Sequence, residues 1–345
     1  MPRDYQQDGL VLARGDGSVA LVRALQQDLR CLGYLPDGID GVFGGGTAAA
    51  IRALQYDLIN PPQAHGEAPI RIADFNQNGG VTTVTGVLDQ ALAGCIAALL
   101  AAPGVDWVPR SDDPAGANRA ALRQAEHLTG VGVPMPFLLA MFVQESNCQH
   151  FQVPTGRSSD DFVTIGLDRN IRDVPDQITS RGYGMGQFTI FHHPPTPAEV
   201  RDFIVDAVGN LQKAIGELRA KFDNFVVGPA DRADDRTAEH PGQALRTCKY
   251  TAEDPRYLSD CRACAVAAPS IDIHQGTPAY QGAGFGYQPD QYYPSAEYAG
   301  VPDRAGFACD WPYAARRYNG SGNNSFHYQT RILRNLAAGP AAADG

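Results

Sequence analysis

Short stretches with helical spacing, separated by a turn-forming stretch, constrain the first third of the chain most strongly. The first apolar stripe is formed by Val22, Leu25, Leu29 and Leu32. Gly33 follows it at the position of a left-handed helix C-cap. The stretch PDGIDGVFGGG comes next and is dense in Gly, Asp and Pro, which indicates a compact turn. The pattern therefore predicts one short amphipathic helix followed by a tight turn.

Two further helices are predicted before residue 102. Thr47 is a suitable N-cap for the second helix, whose apolar stripe consists of Ile51, Leu54 and Leu58. After a polar insertion at about 60 to 86, the stretch VLDQALAGCIAALL supplies the third helix, which we interpret as buried. Three short helices enclose only a small core, so we expect a neighbouring segment or a disulfide between Cys31 and Cys95 to stabilise it.

The runs LQQDLRCLGY, DGIDGVFGGGT and AAIRALQ together resemble the small helical peptidoglycan-binding domain found in many wall-degrading enzymes. The shared pattern is leucine-glutamine, leucine-glycine-tyrosine, aspartate-glycine, phenylalanine-glycine, threonine and a closing helix, and it covers about 20 to 58. By this resemblance the first domain, residues 1–102 with a core at 18–100, recognises wall glycan or stem peptide. The insertion NPPQAHGEAPIRIADFNQNGG departs from the family pattern.

Residues 103–118 are predicted to link this domain to a second one, because PGVDWVPRSDDPAGAN is rich in Pro, Gly and Asp and lacks periodicity. A helical pattern begins at residue 119, and the chain keeps an ordered character to 338, with a loop-rich insertion at about 225–310. The last residues, 339–345, are predicted to be a disordered tail.

Composition excludes several classes of function. The 345 residues are 43% hydrophobic and 19% charged, as in soluble globular proteins, and a net charge of −10 argues against nucleic acid as the main partner. The N-terminus has no apolar segment behind a basic start, so we expect no secretory signal peptide. No run approaches the roughly 18 consecutive apolar residues of a membrane helix. We therefore expect synthesis in the cytoplasm and no membrane insertion.

The stretch FLLAMFVQESN places a glutamate, Glu145, at the end of an apolar run. Leu138, Met141 and Phe142 lie seven, four and three residues before it, so a helix puts all four side chains on one face. Desolvation on that face would raise the pKa of the carboxyl group, as a general acid requires near neutral pH. The alternative is a glutamate at a helix end that reaches solvent.

Two later stretches accompany this glutamate. SRGYGMGQFTIF holds Gly182, Gly184 and Gly186, which permit close backbone approach and positive φ. It lacks the Lys-Ser/Thr of a phosphate-binding loop, and a tight turn is the simpler interpretation. In YAARRYNGSG, Tyr318 and Asn319 follow an alanine-rich helical turn. A tyrosine at this position can also pack in the core.

Taken in this order, VQESN, SRGYGMGQF and RRYNGSG resemble the three motifs of the lysozyme-like lytic transglycosylases. Carried over by position, the resemblance makes Glu145 the catalytic acid and base, and Tyr318 a hydrogen-bonding residue near it. The substrate-binding residues that it implies are Ser146, Ser180, Tyr183, Met185, Gln187, Phe188, Tyr318 and Asn319. The chain departs from the family in having only Gly186 where two apolar residues usually precede the glutamine, and in the insertion at 225–310.

The resemblance favours a transglycosylase over a hydrolase. A transglycosylase needs one carboxyl group, because by resemblance the sugar's own 6-hydroxyl closes a 1,6-anhydro ring, whereas a hydrolase needs a second carboxylate. The candidates for a second carboxylate are Asp160, Asp161, Asp168, Asp173 and Asp176. All lie in a polar stretch typical of solvated loops, and Ser180 occupies the place of the aspartate found in goose-type lysozymes.

Four of the seven cysteines lie late in the chain: Cys248, Cys261, Cys264 and Cys309. A zinc ribbon usually pairs two C-x-x-C knuckles and only one occurs, so we expect disulfides that pin the insertion rather than a metal site, with buried thiols as the alternative. His192 and His193, which precede two prolines, are interpreted as loop residues. No cofactor and no metal are expected.

The sequence therefore predicts a mainly α chain, with a small three-helix peptidoglycan-binding module and a lysozyme-like, mostly helical catalytic domain carrying a loop-rich insertion. We expect cleavage of the MurNAc-GlcNAc bond of peptidoglycan by a lytic transglycosylase that forms 1,6-anhydroMurNAc ends. A hydrolytic muramidase, a non-catalytic wall-binding protein and a wall peptidase or amidase are the alternatives. Delivery to the periplasm or cell wall would require a phage holin, as for an endolysin, or a secretion machine whose producer carries an immunity protein.

Overall fold

The structure is a computed structural model of the chain. It describes residues 4–35, 38–61, 71–76, 79–102, 109–128, 133–153, 165–168, 173–223, 248, 250–257, 261, 309, 311–319 and 323–339. The chain divides into two compact units. Unit 1 contains residues 1–118 and 149–210, and unit 2 contains residues 119–148 and 211–345.

Helices dominate the described residues, which confirms the mainly α class. They are α1 (Val19–Cys31), α2 (Gly45–Ile59), α3 (Gln90–Ala101), α4 (Pro114–Leu128), α5 (Met135–Ser146), α6 (Pro197–Glu199), α7 (Ala207–Lys221), α8 (Trp311–Tyr318) and α9 (Asn323–Ala338). The described strands β1 (Ile165–Asp168), β2 (Ser180–Tyr183) and β3 (Phe188–Ile190) form an antiparallel sheet in the order β1-β2-β3. None of the described helices is long and apolar enough to cross a membrane.

The first helix ends as its sequence predicts. All members of its apolar stripe are buried, namely Val22, Leu25, Leu29 and Leu32. Gly33 has φ +73. The Gly33 N–H donates to Arg30 O at 2.7 Å, and the Tyr34 N–H donates to Leu29 O at 2.8 Å. The left-handed glycine thus satisfies carbonyls at the end of α1 and turns the chain away from the helix.

Two buried glutamines hold the loops of the three-helix module. Gln26 in α1 donates to Asp40 Oδ1 at 2.9 Å and accepts from the Gly41 N–H at 2.8 Å, which holds the turn that contains these two residues. Gln55 in α2 accepts from the Gly86 N–H at 2.9 Å. Each glutamine follows a buried leucine, so each Leu-Gln pair places an apolar side chain in the core and an amide against a loop.

The second helix begins earlier than predicted. Its first residue is Gly45 and its N-cap is Gly44, so the prediction that Thr47 caps the helix is wrong. The Thr47 hydroxyl accepts from Gln26 Nε2 at 3.0 Å and donates to Val42 O at 3.3 Å. Bonding to the preceding turn, rather than capping, explains a threonine at this position.

The third helix is buried as predicted, and Asp89 caps it by accepting from the Leu92 N–H at 2.9 Å. The predicted disulfide between Cys31 and Cys95 is not formed. Cys95 is buried within α3, whereas Cys31 is the last residue of α1 and its Sγ lies 3.3 Å from Arg110 Nη2. A neighbouring segment is the other source of stability that the sequence predicts. The structure contains such a segment.

That neighbouring segment comes from residues 149–210, which the sequence assigned to the second domain. Its buried side chains join the same apolar cluster as the leucines of α1, α2 and α3, and they are Ile178, Tyr183, Ile190, Val200, Phe203 and Ile204. A module of three short helices buries too little apolar surface alone, so these side chains complete its core. The domain boundaries predicted from the sequence do not anticipate this grouping.

A buried polar cluster also ties this segment to the helical module. The side chain of His193 is 1% exposed, and its Nε2 lies 2.9 Å from Asp57 Oδ2. The Tyr34 hydroxyl donates to the same oxygen at 2.7 Å, and the Arg181 guanidinium lies over the Tyr34 ring, 5.3 Å from its centroid. Burial lowers the pKa of His193 to about 4, so its ring is neutral at pH 7. His193 lies in the loop between β3 and α6, as predicted, but its ring is buried among these partners.

The linker predicted at residues 103–118 ends earlier in the structure than in the prediction. The fourth helix begins at Pro114 rather than after residue 118, because Asp113 accepts from the Gly116 N–H at 2.9 Å and proline suits the first turn of a helix. Residues 103–108 lie outside the described part of the chain. So do most of the insertion at 225–310 and the tail beyond residue 339.

Unit 2 is built round α9, which packs on both α5 and α8. Asn335 Nδ2 donates to Ala140 O in α5 at 3.1 Å, and Gln329 Nε2 donates to Pro312 O in α8 at 3.1 Å. The buried rings of Phe222 and Trp311 stack with their centroids 4.3 Å apart. These contacts bring the end of α5, with Glu145, next to the first half of α9.

Candidate active site

Glu145 lies in the last turn of α5, on the face that carries the apolar stripe. The stripe is fully buried, as its helical spacing predicts, and consists of Leu138, Met141 and Phe142. Asn147 follows the helix in the left-handed conformation with φ 53, and its N–H donates to Val143 O at 3.0 Å. The helix therefore ends at Ser146, one residue after the glutamate, whose side chain is partly buried.

The hydroxyl group of Tyr328 donates a hydrogen bond to Glu145 Oε1. Tyr328 is 5% exposed and belongs to α9. It lies four residues before the buried Ile332, so both side chains share the core face of that helix. Sequence reasoning missed Tyr328. The available signal was a tyrosine within the apolar stripe of α9, which fits a core position equally well.

Burial raises the pKa of Glu145 to about 7. The hydrogen bond from Tyr328 acts in the opposite direction, because it stabilises the carboxylate, but desolvation is the larger effect. Burial and the nearby Glu145 charge raise the pKa of Tyr328 well above its usual range, so the phenol keeps its proton and remains a donor. A carboxyl group with a pKa near 7 populates both protonation states at neutral pH.

Tyr318 is the last residue of α8. Burial raises its pKa well above the usual range, and the charges of Glu145 and Glu217 raise it further, so Tyr318 lies within electrostatic range of both carboxyl groups. The resemblance assigned the hydrogen bond near the glutamate to Tyr318. The structure adds Tyr328, which α9 presents to Glu145, as a donor to this carboxyl group, and the hydrogen bond assigned to Tyr318 stays a prediction.

The two remaining predicted site residues of unit 2 are Ser146 and Asn319. The Ser146 hydroxyl donates to Phe142 O at 3.3 Å, a bond within its own helix. Asn319 follows α8 and is exposed. These observations do not test whether Ser146 and Asn319 contact substrate, as the resemblance implies. That contact stays a prediction.

The glycine-rich motif forms a β-hairpin in unit 1, in which residues 184–187 join β2 to β3. Three of its predicted site residues are at most 1% exposed, namely Ser180, Tyr183 and Met185. The Phe188 ring meets the Phe203 ring edge-on, with 5.2 Å between centroids. Gln187 has φ 48, is partly exposed, and donates from Nε2 to Gly184 O at 2.8 Å. Within this hairpin, Gln187 and Phe188 are the predicted residues that retain exposed surface.

Two glycines of the motif permit close approach, as predicted, but to other groups of the protein. Gly184 has φ +68, and a Cβ there would lie 2.4 Å from His150 Nδ1. A Cβ on Gly182 would lie 2.9 Å from Gln187 Oε1. The hairpin requires glycine at position 184, where φ is positive and the nearby ring is buried, whereas a side chain at position 182 would displace the end of the Gln187 side chain.

Two of the aspartates considered as second carboxylates have described side chains. Asp176 forms an ion pair with Arg52 at 2.9 Å inside unit 1, and Asp173 is exposed. Asp168 ends β1. Asp160 and Asp161 lie outside the described residues.

Two carboxylates of unit 2 that follow α5 are engaged with basic side chains on or next to α7. Glu217 pairs with Lys221 at 2.7 Å, and Asp223 pairs with Arg219 at 3.0 Å. The two partners of each pair are one helical turn apart and partly exposed, which is typical of a solvated helix face.

The expected disulfides of the insertion are not formed by the cysteines that can be described. Cys248, Cys261 and Cys309 are thiols, and Cys264 lies outside the described residues. Within the described part of the chain, no group of three or more His, Cys, Asp or Glu side chains could hold a metal ion.

Comparison with known families matches one part of the chain. A family model described as a putative peptidoglycan binding domain matches residues 18–58, which span α1, the following turn and nearly all of α2. No curated protein and no solved structure matches the chain. The match confirms the peptidoglycan-binding domain predicted from LQQDLRCLGY and the runs that follow it. It implies peptidoglycan as a partner.

Proposed function

We propose that this chain is a peptidoglycan-cleaving lytic transglycosylase whose catalytic acid and base is Glu145. The observation that carries the proposal is the state of this carboxyl group. Burial raises its pKa to about 7, and Tyr328 donates a hydrogen bond to it. The peptidoglycan-binding domain at residues 18–58 supports the same substrate independently, because it belongs to the same chain as this glutamate.

In the first step the protonated Glu145 would donate its proton to the oxygen of the MurNAc-GlcNAc bond. The bond between that oxygen and carbon 1 of MurNAc then breaks, and the GlcNAc hydroxyl leaves with the proton. Glu145 is now a carboxylate, the form that the Tyr328 hydroxyl stabilises. The hydrogen bond therefore becomes stronger when charge develops on the acid, which lowers the cost of proton transfer.

In the second step the Glu145 carboxylate would take the proton of the MurNAc 6-hydroxyl, whose oxygen bonds to carbon 1. This closes the 1,6-anhydro ring and returns Glu145 to its protonated form, so that no water is consumed. One group acts first as acid and then as base, and a pKa of about 7 suits both roles at neutral pH.

The ion pairs of the described carboxylates support this outcome over hydrolysis. A hydrolase would place a second carboxylate roughly 5 to 9.5 Å from the acid. The described carboxylates of unit 2 on or beside α7 are held in surface ion pairs with Lys221 and Arg219, and Asp176 is held by Arg52 in unit 1. Hydrolysis by a muramidase is the alternative that product analysis distinguishes.

A wall-binding protein without catalysis is the second candidate function. It is favoured by one observation, the family match at residues 18–58, which requires no chemistry at Glu145. Under either candidate the chain acts at the cell wall, where peptidoglycan is located, and we propose that it reaches the wall by an endolysin-type or effector-type route.

Mass spectrometry of the soluble products released from purified peptidoglycan tests the proposal. We expect muropeptides that end in 1,6-anhydroMurNAc. Products heavier by one water would identify a hydrolase and overturn the transglycosylase assignment. Binding of the chain to intact glycan with no released product would identify a wall-binding protein.

A further inference from the structure

A single buried amide holds the turn of the β2–β3 hairpin. Asn210 lies in the first turn of α7 and is fully buried. Its Nδ2 donates to Tyr183 O at 2.8 Å, and its Oδ1 accepts from the Gly186 N–H at 3.1 Å. One side chain therefore satisfies a carbonyl at the start of the turn and an N–H near its end.

The backbone of the turn packs closely against Asn210. A Cβ on Gly184 would lie 2.7 Å from Asn210 Cγ and 2.4 Å from His150 Nδ1. Both distances are shorter than van der Waals contact, between two carbons and between carbon and nitrogen, so the turn approaches both side chains by backbone alone. The position of the turn is thus set by contact as well as by hydrogen bonds.

Asn210 is itself fixed by the start of α7. Its N–H donates to Asp206 O at 2.9 Å, and the Asp206 side chain accepts from the Val208 N–H at 3.0 Å, which caps the helix. The opposite wall, His150, is fully buried, and its N–H donates to Asn118 Oδ1 at 2.9 Å. Hydrogen-bonded residues therefore lie on both sides of the turn.

The 184–186 backbone also determines where Gln187 lies. The backbone N–H and the side-chain Nε2 of Gln187 both donate to Gly184 O, at 3.1 and 2.8 Å. Gln187 also has φ 48, a conformation that a glutamine adopts only where its surroundings impose it. Movement of the 184–186 backbone would therefore move the Gln187 amide directly.

We propose that Asn210 is a positioning residue, which fixes the 183–187 turn and thereby holds Gln187 in the orientation that binds the glycan strand. The inference rests on the proposed function and on the substrate contact that the resemblance to lytic transglycosylases implies for Gln187, and it adds Asn210 as the residue that orients Gln187. Asn210 touches no substrate in this account. Its loss should weaken glycan binding and raise KM, while kcat, which depends on Glu145, changes little.

The test compares Asn210→Ala with Asn76→Ala in the full chain. Asn76 is a matched control because it also bridges two backbone groups of a loop in unit 1, accepting from the Val81 N–H at 3.0 Å and donating to Val81 O at 2.8 Å. Asn210→Asp serves as a second variant of the same size, since a carboxyl group keeps an acceptor for the Gly186 N–H and lacks the amide donor to Tyr183 O.

Two readouts separate positioning from folding. Hydrogen exchange measures the amide of Gly186, which should exchange about tenfold faster or more in Asn210→Ala and stay protected in Asn76→Ala. Kinetics on soluble glycan strands should show KM raised roughly fivefold to tenfold by Asn210→Ala, with kcat within about twofold of the parent chain. Asn210→Asp should give a smaller change in both.

Faster exchange at Gly186 with unchanged KM would overturn the inference, since the turn would move without affecting binding. Unchanged exchange would overturn it as well. A parent chain that releases no product would instead overturn the proposed function. Binding of glycan strands to Glu145→Gln, with and without Asn210→Ala, would then decide separately whether Asn210 acts on recognition.

Discussion

Tyr328 and Glu145 lie 183 residues apart in the sequence and share a hydrogen bond in unit 2. The phenol stays protonated, because burial and the nearby carboxyl group raise its pKa. It can therefore donate to Glu145 throughout the neutral pH range. Desolvation raises the pKa of the acid and this donor limits the rise, so the two effects together set a value of about 7.

Tyr328→Phe should move the alkaline limb of the activity profile to higher pH. The hydroxyl favours the ionised form of Glu145, so its removal raises the pKa of the acid further. We expect a shift of roughly 0.5 to 1 pH unit and a lower maximal rate, measured as glycan release between pH 5 and 9. Tyr318→Phe is the matched control and should shift the limb less. A larger shift from Tyr318→Phe would contradict the assignment of the hydrogen bond to Tyr328.

Glu145→Gln should stabilise the chain at alkaline pH. The folded-state pKa of about 7 lies above the ordinary value of 4.5, so the folded chain binds more protons between these values. Binding of this proton contributes at most about 3 kcal/mol to the free energy of unfolding. The contribution is fully present below pH 4.5 and is lost as pH rises to 7. Urea denaturation at pH 5 and pH 8 should show a gain for Glu145→Gln that is larger at pH 8.

Glu217→Gln is the control for that measurement, because Glu217 is a partly exposed glutamate paired with Lys221. Its replacement should change stability by the same small amount at both pH values. A stability difference for Glu145→Gln that does not depend on pH would mean that Glu145 is solvated and ionised in the same range as an ordinary glutamate.

Unit 1 should lose stability in acid because of two buried histidines. Burial lowers the pKa of His150 and of His193 from 6.5 to about 4. The unfolded chain therefore binds more protons between pH 6.5 and 4, and stability falls as pH decreases through this window, by up to about 3 kcal/mol for each ring. The charged groups around His193 act in both directions, since Arg181 lowers its pKa and Asp57 raises it.

Tyrosine fluorescence or circular dichroism during urea unfolding at pH 4.5 and 7 measures this loss. His193→Gln keeps a side chain that can bond Asp57 and removes one of the two titrating rings. The variant should have a smaller loss of stability between the two pH values than the parent chain. An equal loss would show that His193 titrates normally in the folded state.

Tyr34→Phe should destabilise unit 1 by roughly 1 to 2 kcal/mol, because it removes the 2.7 Å donor to a mostly buried Asp57. Tyr56→Phe removes a weaker bond, 3.5 Å from Gln177 Oε1 at a partly buried site, and should cost less than about 0.5 kcal/mol. Thermal unfolding of both variants measures the difference. Equal costs would mean that the cluster round Asp57 contributes no more than a surface contact.

The local structure of the helical module could be predicted from the sequence. The stripe that ends at Leu32 and the glycine at position 33 specify a helix and its end, and both depend only on neighbours along the chain. The same holds for the buried face that ends at Glu145. Where an expectation about local structure failed, as at Thr47, a hydrogen bond from another helix had replaced capping.

The groups that surround the candidate acid could not be predicted in the same way. Tyr328 meets Glu145 because two helices pack, and its sequence context fits a core tyrosine equally well. His193 and Asn210 likewise acquire their partners from distant segments. Helical spacing shows which face of an element is buried but not which element covers it, so the partners had to come from the fold.

The most direct test of the central claim is glycan release by Glu145→Gln, with Glu217→Gln alongside and binding to insoluble peptidoglycan measured for each. Our account predicts that Glu145→Gln binds the wall as the parent chain does and releases soluble anhydromuropeptides at least about a thousandfold more slowly. Glu217→Gln should retain activity within about threefold. Undiminished release by Glu145→Gln would contradict the assignment of Glu145 as the catalytic acid.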